Sequence, residues 1–227
     1  MKSVTGETQL PEGLEDRGLA GLPRSVQRLA ARGERRNYRA GILLINEGER
    51  GNSLFVVLGG RLKVFSNNGD GNEITYGILE RGGIFGEMSL DGGPRSASVL
   101  ALESCECAVL ARAQVRAHVR ENPEFALELI NIVIHRAREA TRVARGLALD
   151  SAHRRLVQFL EMNTRAPAAG AFPELRHFTH FEIASRIGTS RETVSRLLNE
   201  LQKAGSLRVT RYTLTVLKPL PAMLPRA

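Results

Sequence analysis

The sequence predicts an α+β chain in three successive parts: an all-β section, one long helix, and a winged helix-turn-helix. Three observations predict this order. From Tyr38 to Leu110, short apolar runs alternate with Gly, Asn and Asp turns; from Asn122 to about Leu149, apolar residues recur at heptad spacing; from His177 to Val216, two short helical patterns meet at a glycine and lead into two strand-like runs.

The first residues, 1–21, are polar and read as a loose tail. Leu22-Pro23 then opens a short amphipathic helix through Val26, Leu29 and Ala30. The strand-like runs are Ile42–Ile45, Ser53–Leu58, Leu62–Phe65, Glu73–Leu79, Ala97–Leu102 and Glu106–Leu110, with hairpin turns at Gly59-Gly60 and Asn67–Asn72. Regular short strands at this spacing make a sandwich, a barrel or a β-roll. Cys105 and Cys107 alternate on one strand and so share a face. With no further cysteine in the chain and no histidine nearby in sequence they cannot form a four-ligand zinc or iron–sulfur site, and they read as two small strand residues.

Asn122 and Pro123 are suited to the cap and first position of the long helix. Ala126, Ile130, Val133, Ala137, Ala140, Ala144 and Leu147 follow the heptad, ending in Ala-rich layers that let two helices approach closely. The stripe is narrow, and Leu127, Leu129, Ile132 and Ile134 offer apolar surface elsewhere for packing within the chain. A homodimer seam is therefore expected, in preference to a helix packed only on its own β section.

In the last part, His180–Ile187 forms a helix burying Ile183, Ala184 and Ile187; Gly188 supplies the turn. Thr189 or Ser190 caps the next helix, with Glu192 placed three residues after Thr189 for a capping box. Val194, Leu197, Leu198 and Leu201 face its core, which leaves Arg191, Glu192, Ser195 and Arg196 on the opposite side. Arginine can donate two hydrogen bonds to guanine and glutamate can accept from cytosine, and residues at the start of such a helix reach base edges. Lys203, past the reading end, suits a phosphate contact. A net charge of +8 and a pI near 10.3 favour a polyanionic partner.

The 227 residues suit one large or two small domains, and 42% hydrophobic content is ample for packed cores. No apolar run approaches the roughly 20 residues needed to span a bilayer, and the N-terminal stretch lacks a signal peptide's apolar segment, so a soluble cytoplasmic protein with no membrane partner is expected. No Walker loop, HExxH, GxSxG or paired-carboxylate pattern suggests catalysis, and no enzyme activity is expected.

The order of parts resembles the Crp/Fnr family of bacterial transcription regulators over almost the whole chain. Ile187–Gly205 resembles that family's recognition helix, and FGEMSLDGGPRSASV at Phe85–Val99 resembles its cyclic-nucleotide phosphate-binding cassette. The resemblance implies a tail at 1–21, a β-roll sensor at 22–120, a dimerisation helix at 121–149 and a winged helix-turn-helix at 150–227. It also implies a cyclic nucleotide effector, cyclic AMP first and cyclic di-GMP second, with no metal.

In that cassette Gly86, Glu87, Met88, Arg95 and Ser96 are the expected nucleotide-binding residues. Arg95 and Ser96 suit a cyclic phosphate, Glu87 would accept from a ribose 2′-hydroxyl, and Gly86 lets backbone come close. Removing Arg95 is expected to weaken binding and to leave folding little changed. The stretch from Glu87 to Arg95 is a residue or two shorter than in cyclic-AMP-responsive members. Those members place a Thr-Ser pair from the long helix on adenine; here the stretch is Arg138-Glu139-Ala140-Thr141-Arg142, with Thr141 the candidate hydroxyl and the flanking arginines candidates to meet guanine.

For DNA, the resemblance implies double-stranded DNA as partner, a homodimer on a palindromic TGTGA-like operator, and RNA polymerase as a further partner. Thr189, Ser190, Arg191, Glu192, Thr193, Ser195, Arg196 and Lys203 form the expected interface. The wing, Thr210-Arg211-Tyr212-Thr213, departs from the family in having no glycine at its tip. The N-terminal region has no cysteine for an iron–sulfur sensor, and His118 and His135 are poorly spaced for haem. The competing readings are a nucleotide-binding module acting on a protein partner and a regulator whose pocket is empty or reads another signal.

Overall fold

The computed structural model describes residues 19–166, 168, 170–211 and 213–221. Most of the expected tail and Tyr212 of the wing fall outside these. Leu19, at the tail's end, is buried in the core rather than loose.

The sensor begins with α1 (Arg24–Ala30), which buries Val26, Leu29 and Ala30. Eight strands follow: β1 (Glu34–Tyr38), β2 (Leu43–Ile45), β3 (Ser53–Gly59), β4 (Leu62–Asn67), β5 (Glu73–Leu79), β6 (Ile84–Phe85), β7 (Ser98–Ala101) and β8 (Cys105–Ala111), with a 3-10 turn at Glu87–Ser89 between β6 and β7. They form two four-stranded antiparallel sheets, in the orders β1-β8-β3-β6 and β2-β7-β4-β5. The apolar run of β3 is buried on both faces. Phe55 and Val57 join Leu62, Phe85, Val99 and Cys107 between the sheets, whereas Leu54, Val56 and Leu58 pack under the helices with Leu29, Val115 and Phe125. Cys105 and Cys107 are both buried in the inter-sheet core, and burial pushes the Cys107 thiol up to about 12.

Two sensor elements escape an apolar pattern. The β1 sequence Glu-Arg-Arg-Asn-Tyr is almost wholly exposed, an edge strand held by its ladder to β8. Helix α2 (Arg112–Glu121) buries only Val115 and His118.

Helix α3 (Pro123–Leu149) follows at once. Asn122 precedes it without a side-chain cap, because its amide instead donates to the His118 carbonyl at 3.2 Å and accepts from Arg28 at 3.2 Å. Phe125 is fully buried, and Leu129 and Ile132 pack beside it on the sensor. Leu127 and Ile134, expected to pack within the chain, are exposed at 55% and 39%, alongside Ile130 and Val133 at 52% and 44%. The exposed apolar stripe on α3 is thus broader than the heptad positions alone.

The C-terminal part contains α4 (Ala152–Asn163), β9 (Glu174–Arg176), α5 (His180–Ile187), α6 (Arg191–Lys203), β10 (Leu207–Val209) and β11 (Thr213–Val216). The strands form a sheet in the order β10-β11-β9 beside one core containing Leu156, Leu160, Ile183, Val194, Leu198 and Leu201. This part docks on the sensor. Thr75 of β5 and Ser185 of α5 share a hydrogen bond of 3.1 Å between hydroxyls. Leu147 of α3, expected in the seam, lies so close to Gly188 that a Cβ there would be 2.6 Å from its Cδ2, so it packs on the helix-turn-helix. Arg155 of α4 donates to the carbonyls of Asp150, Ile187 and Gly188 at 2.6, 2.7 and 3.2 Å, tying the end of α3 to the end of α5.

His153 of α4 is buried with both ring nitrogens unpartnered among the described residues. Burial lowers its pKa, with Glu200 opposing and Arg196 adding to the effect. Burial likewise lowers that of His118, helped by Arg32. The unfolded chain therefore binds more protons than the folded one, so stability is fully present above the ordinary histidine pKa of about 6.5 and falls as pH drops below it. His153→Leu removes an unpartnered polar group, so it is expected to be neutral or stabilising near neutral pH. It is also expected to reduce the loss of Tm between about pH 7.5 and about pH 5.5, measured by thermal unfolding.

Candidate ligand pocket and nucleic-acid interface

Between β5, the cassette and α3 lies a cavity of about 550 Å³, within the range that holds small ligands. Its cassette wall starts at Gly86, whose φ of +83° and surroundings both require glycine: a Cβ there would sit 2.6 Å from the Ser53 carbonyl and from Arg95 Nη1. The close approach that Gly86 permits is thus to Arg95 and β3 inside the protein.

Arg95 is buried and already bonded. Its Nη1 donates to the carbonyls of Ser53 and Gly86, each at 3.0 Å, and to Ser89 Oγ at 2.6 Å, while the guanidinium lies over the Phe55 ring. Burial lowers its pKa and the nearby Glu87 carboxylate opposes this. Gly51 is part of the same cradle, since a Cβ there would meet Arg95 at 2.4–2.6 Å. The expectation that Arg95 can be removed with little effect on folding is therefore corrected: its loss removes a buried donor that three acceptors share, the Gly86 carbonyl alone keeping a second donor in Ser89 Oγ.

Glu87 begins the 3-10 turn, and its side chain is only 3% exposed. Oε1 accepts from Arg136 of α3, whose Nη2 also donates to the Ile84 carbonyl at 2.5 Å. Oε2 is buried without a hydrogen-bond partner among the described residues. Ser96 is exposed to the cavity and donates to Met88 Sδ at 3.2 Å, a weak acceptor that a stronger one displaces.

The structure brings Gly86, Glu87, Met88, Arg95 and Ser96 to one cavity and leaves Thr141 out of it. The Thr141 hydroxyl donates back to the Ala137 carbonyl at 2.9 Å on an exposed face of α3. Arg138 and Arg142 also stay outside their own chain's cavity, and Arg142 pairs with Glu139. On this helix Ala137, Ala140, Val143 and Arg136 line the wall instead. Arg136 was missed in the sequence, although it follows Phe125, Leu129 and Ile132 at helical spacing on the sensor-facing side.

In the helix-turn-helix, the capping box lies one helix earlier than expected. Thr179 and Glu182 form it at the start of α5, with Thr179 Oγ1 accepting from the Glu182 N–H at 3.1 Å and Glu182 Oε2 accepting from the Thr179 N–H at 2.7 Å. Thr189 is within the turn, where its N–H donates to the Ala184 carbonyl, and Ser190 caps α6 by accepting from the Thr193 N–H at 3.2 Å. Glu192 is then only two residues past the cap, and its carboxyl meets the Ser190 hydroxyl instead of closing a capping box. Its own backbone N–H and the Ser190 hydroxyl hold its carboxyl below the usual glutamate pKa.

Val194, Leu197, Leu198 and Leu201 are buried, and Arg191, Glu192, Arg196 and Lys203 are exposed. Ser195 and Thr193 are half-buried and engaged within the protein: Ser195 Oγ donates to the Arg191 carbonyl at 3.0 Å and lies 2.8 Å from His180 Nδ1, and Thr193 Oγ1 lies 3.1 Å from Ser190 Oγ. Arg196 pairs with Glu200 at 2.8 Å, an exposed pair of the kind worth about 0–1 kcal/mol, so a nucleic-acid acceptor competes easily for the guanidinium.

Residues 35–122 match the family described as the cyclic nucleotide-binding domain, and residues 154–220 match the Crp-like helix-turn-helix domain. Together the two define a cyclic-nucleotide-binding transcription regulator with a DNA-binding helix-turn-helix. The chain is 35% identical over 200 residues to the cyclic AMP receptor protein of Thermus thermophilus, covering 88% of this chain and 90% of that one. It is 31% identical to the cAMP-activated global transcriptional regulator Vfr of Pseudomonas aeruginosa, covering 84% and 92%. A transcriptional regulator of the CRP/FNR family from Thermus thermophilus superposes with a TM-score of 0.65 at 25% identity, covering 82% of this chain and 94% of the other. The c-di-GMP-responsive regulator CLP of Xanthomonas campestris shares the fold, with a TM-score of 0.76 at 23% identity over 85% of this chain and 97% of that one. The chain belongs to the Crp/Fnr family.

Among the described residues no helix is long and apolar enough to cross a membrane, and no group of three His, Cys, Asp or Glu side chains is placed to hold a metal ion.

Proposed function

We propose that this chain is a cytoplasmic transcription regulator without enzyme activity that holds cyclic AMP in its β-roll and reads a palindromic, TGTGA-like operator as a homodimer, with RNA polymerase as its further partner. One observation carries the ligand reading. The buried, unpartnered Oε2 of Glu87 shares a cavity with the cation of Arg95 and the hydroxyl of Ser96, an acceptor for a ribose hydroxyl beside donors for a phosphate. Cyclic AMP is chosen as the nucleotide because the Thermus and Pseudomonas relatives bear it in their names. The exposed apolar stripe on α3, with Ile130, Val133 and the alanines beyond, supports pairing with a second copy.

The reading is a population shift. Ligand bound jointly by the cassette and α3 favours one arrangement of the two recognition helices, which must stand about 34 Å apart to enter successive major grooves. In each half-site Arg191 and Arg196 read guanines, Glu192 reads a cytosine, and Lys203 meets phosphate. Thr189, Ser190, Thr193 and Ser195 set the pose of the helix through the turn, the cap and the His180 contact rather than through base edges.

Calorimetric titration with cyclic AMP, cyclic GMP and cyclic di-GMP tests the effector. Cyclic AMP is expected to bind most tightly, and Ser96→Ala to weaken it by about 0.5–1.5 kcal/mol with folding unchanged. Arg95→Ala is expected to cost about 1.5–3 kcal/mol of binding and to destabilise the sensor as well. No heat with any of the three overturns the ligand assignment.

Selection from random DNA tests the interface. Arg196→Ala is expected to cost about 1–3 kcal/mol per half-site and to relax one base pair, whereas Lys203→Ala weakens all sequences alike and flattens the salt slope. An Arg196→Ala protein that recovers the same half-site with equal stringency overturns the base-reading assignment.

A further inference from the structure

Strand β5 carries a bulge. Its ladder with β4 runs Leu62↔Leu79, Lys63↔Ile78 and Val64↔Gly77, and then resumes at Phe65↔Thr75, so Tyr76 is the extra residue with no partner across the ladder. An extra residue of this kind re-aims its side chain, and such bulges are over-represented beside binding sites. Tyr76 lines the cavity on the wall facing α3, yet it is 50% exposed, and no ring or cation packs on it among the described residues. Next to it the wall is open: a Cβ built on Gly77 meets nothing within 4 Å. Across the cavity α3 presents Ala137 and Ala140, small side chains that leave width for a flat group.

From these observations we infer that Tyr76 is the base-stacking side chain of the pocket, and that it makes the pocket favour purine over pyrimidine cyclic nucleotides. The inference rests on the reading of the cavity as a nucleotide site. A polar cradle at the cassette can hold the cyclic phosphate and ribose of any nucleotide, so it carries no information about the base. The β-sheet wall beyond the cassette, with Ile45, Val64, Tyr76 and Leu79, is apolar, and there a base gains by burying its faces; His135, Arg136 and Glu139 add polar groups on the α3 side. A tyrosine ring freed from the ladder offers the one large π-face on the β5 wall, and a purine's two fused rings overlap it more than a pyrimidine's one. The bulge explains why an aromatic side chain is left half in water on a strand whose neighbouring positions are better covered: its apolar face is completed by the ligand.

The chain contains no tryptophan, which makes the test clean. Tyr76→Trp creates a single tryptophan, excited selectively at wavelengths beyond tyrosine absorption, and cyclic AMP is expected to quench it with the same midpoint that calorimetry gives. In calorimetry Tyr76→Ala is expected to lower cyclic AMP affinity roughly 10-fold to 100-fold, to change cyclic CMP affinity far less, and so to abolish the preference that wild type shows for the purine; Tyr76→Phe restores it. Unchanged emission together with equal cyclic AMP affinity in wild type and Tyr76→Ala overturns the stacking role and leaves the pocket reading standing. A wild-type protein that binds neither nucleotide overturns both.

Discussion

The bond from Arg136 to Glu87 joins the cassette wall of the cavity to α3, the helix that leads to the DNA-binding part. Glu87 is a buried carboxylate at the start of the cassette turn, and Arg136 is the cation that α3 extends to it. Deleting one member of a fully buried pair leaves an uncompensated charge and costs about 3–5 kcal/mol; the figure is smaller here because 35% of the Arg136 side chain meets water. The pair therefore fixes where α3 lies on the sensor while leaving its cationic partner able to rearrange. Glu87 keeps Oε2 unpartnered, so a ligand hydroxyl can bind the same carboxylate without first expelling the arginine. In the proposed mechanism this makes α3 sensitive to occupancy of the cavity.

Two routes lead from that cavity to the helix-turn-helix. One runs along α3, from Arg136 through Val143 in the wall to Leu147 against Gly188. The other runs along β5, where Tyr76 and Gly77 face the cavity and the adjacent Thr75 is bonded to Ser185 of α5. Arg155 closes the loop between them by holding the carbonyls at the ends of α3 and α5. A ligand shifts this assembly only if it binds one arrangement better than another. A group contacting both α3 and β5 is placed to do so, because the two elements meet the DNA-binding part at different points.

The parts of the fold with a strong period were legible in the sequence. The runs of β3, β4, β5 and β8, the helix of α3, and both helices of the helix-turn-helix follow from apolar spacing and from Gly188. The weakly patterned elements were not. β1 is stabilised by its ladder to β8 with hardly a buried side chain, and α2 buries two residues, so neither shows a face to read. In the site, Gly86, Glu87, Arg95 and Ser96 are close in sequence and were found together. Gly51 and Tyr76 come from other strands, and their roles depend on where Arg95 turns and on a bulge, which local pattern does not encode. Thr141 failed for a related reason: which side of α3 meets the cavity is decided by Phe125 and Arg136 packing on the sensor, and that rotation puts the Thr141 hydroxyl on the far face.

In the proposed mechanism, occupancy of the cavity changes how the helix-turn-helix meets DNA. Fluorescence anisotropy of a labelled palindromic TGTGA-containing duplex, titrated with the full chain at fixed salt with and without saturating cyclic AMP, tests it most directly. Affinity is expected to be at least about fivefold higher with the nucleotide, the low end of ordinary coupling between sites, and that difference is expected to be lost in Arg136→Ala. Equal affinity with and without a nucleotide that calorimetry shows to be bound would contradict it.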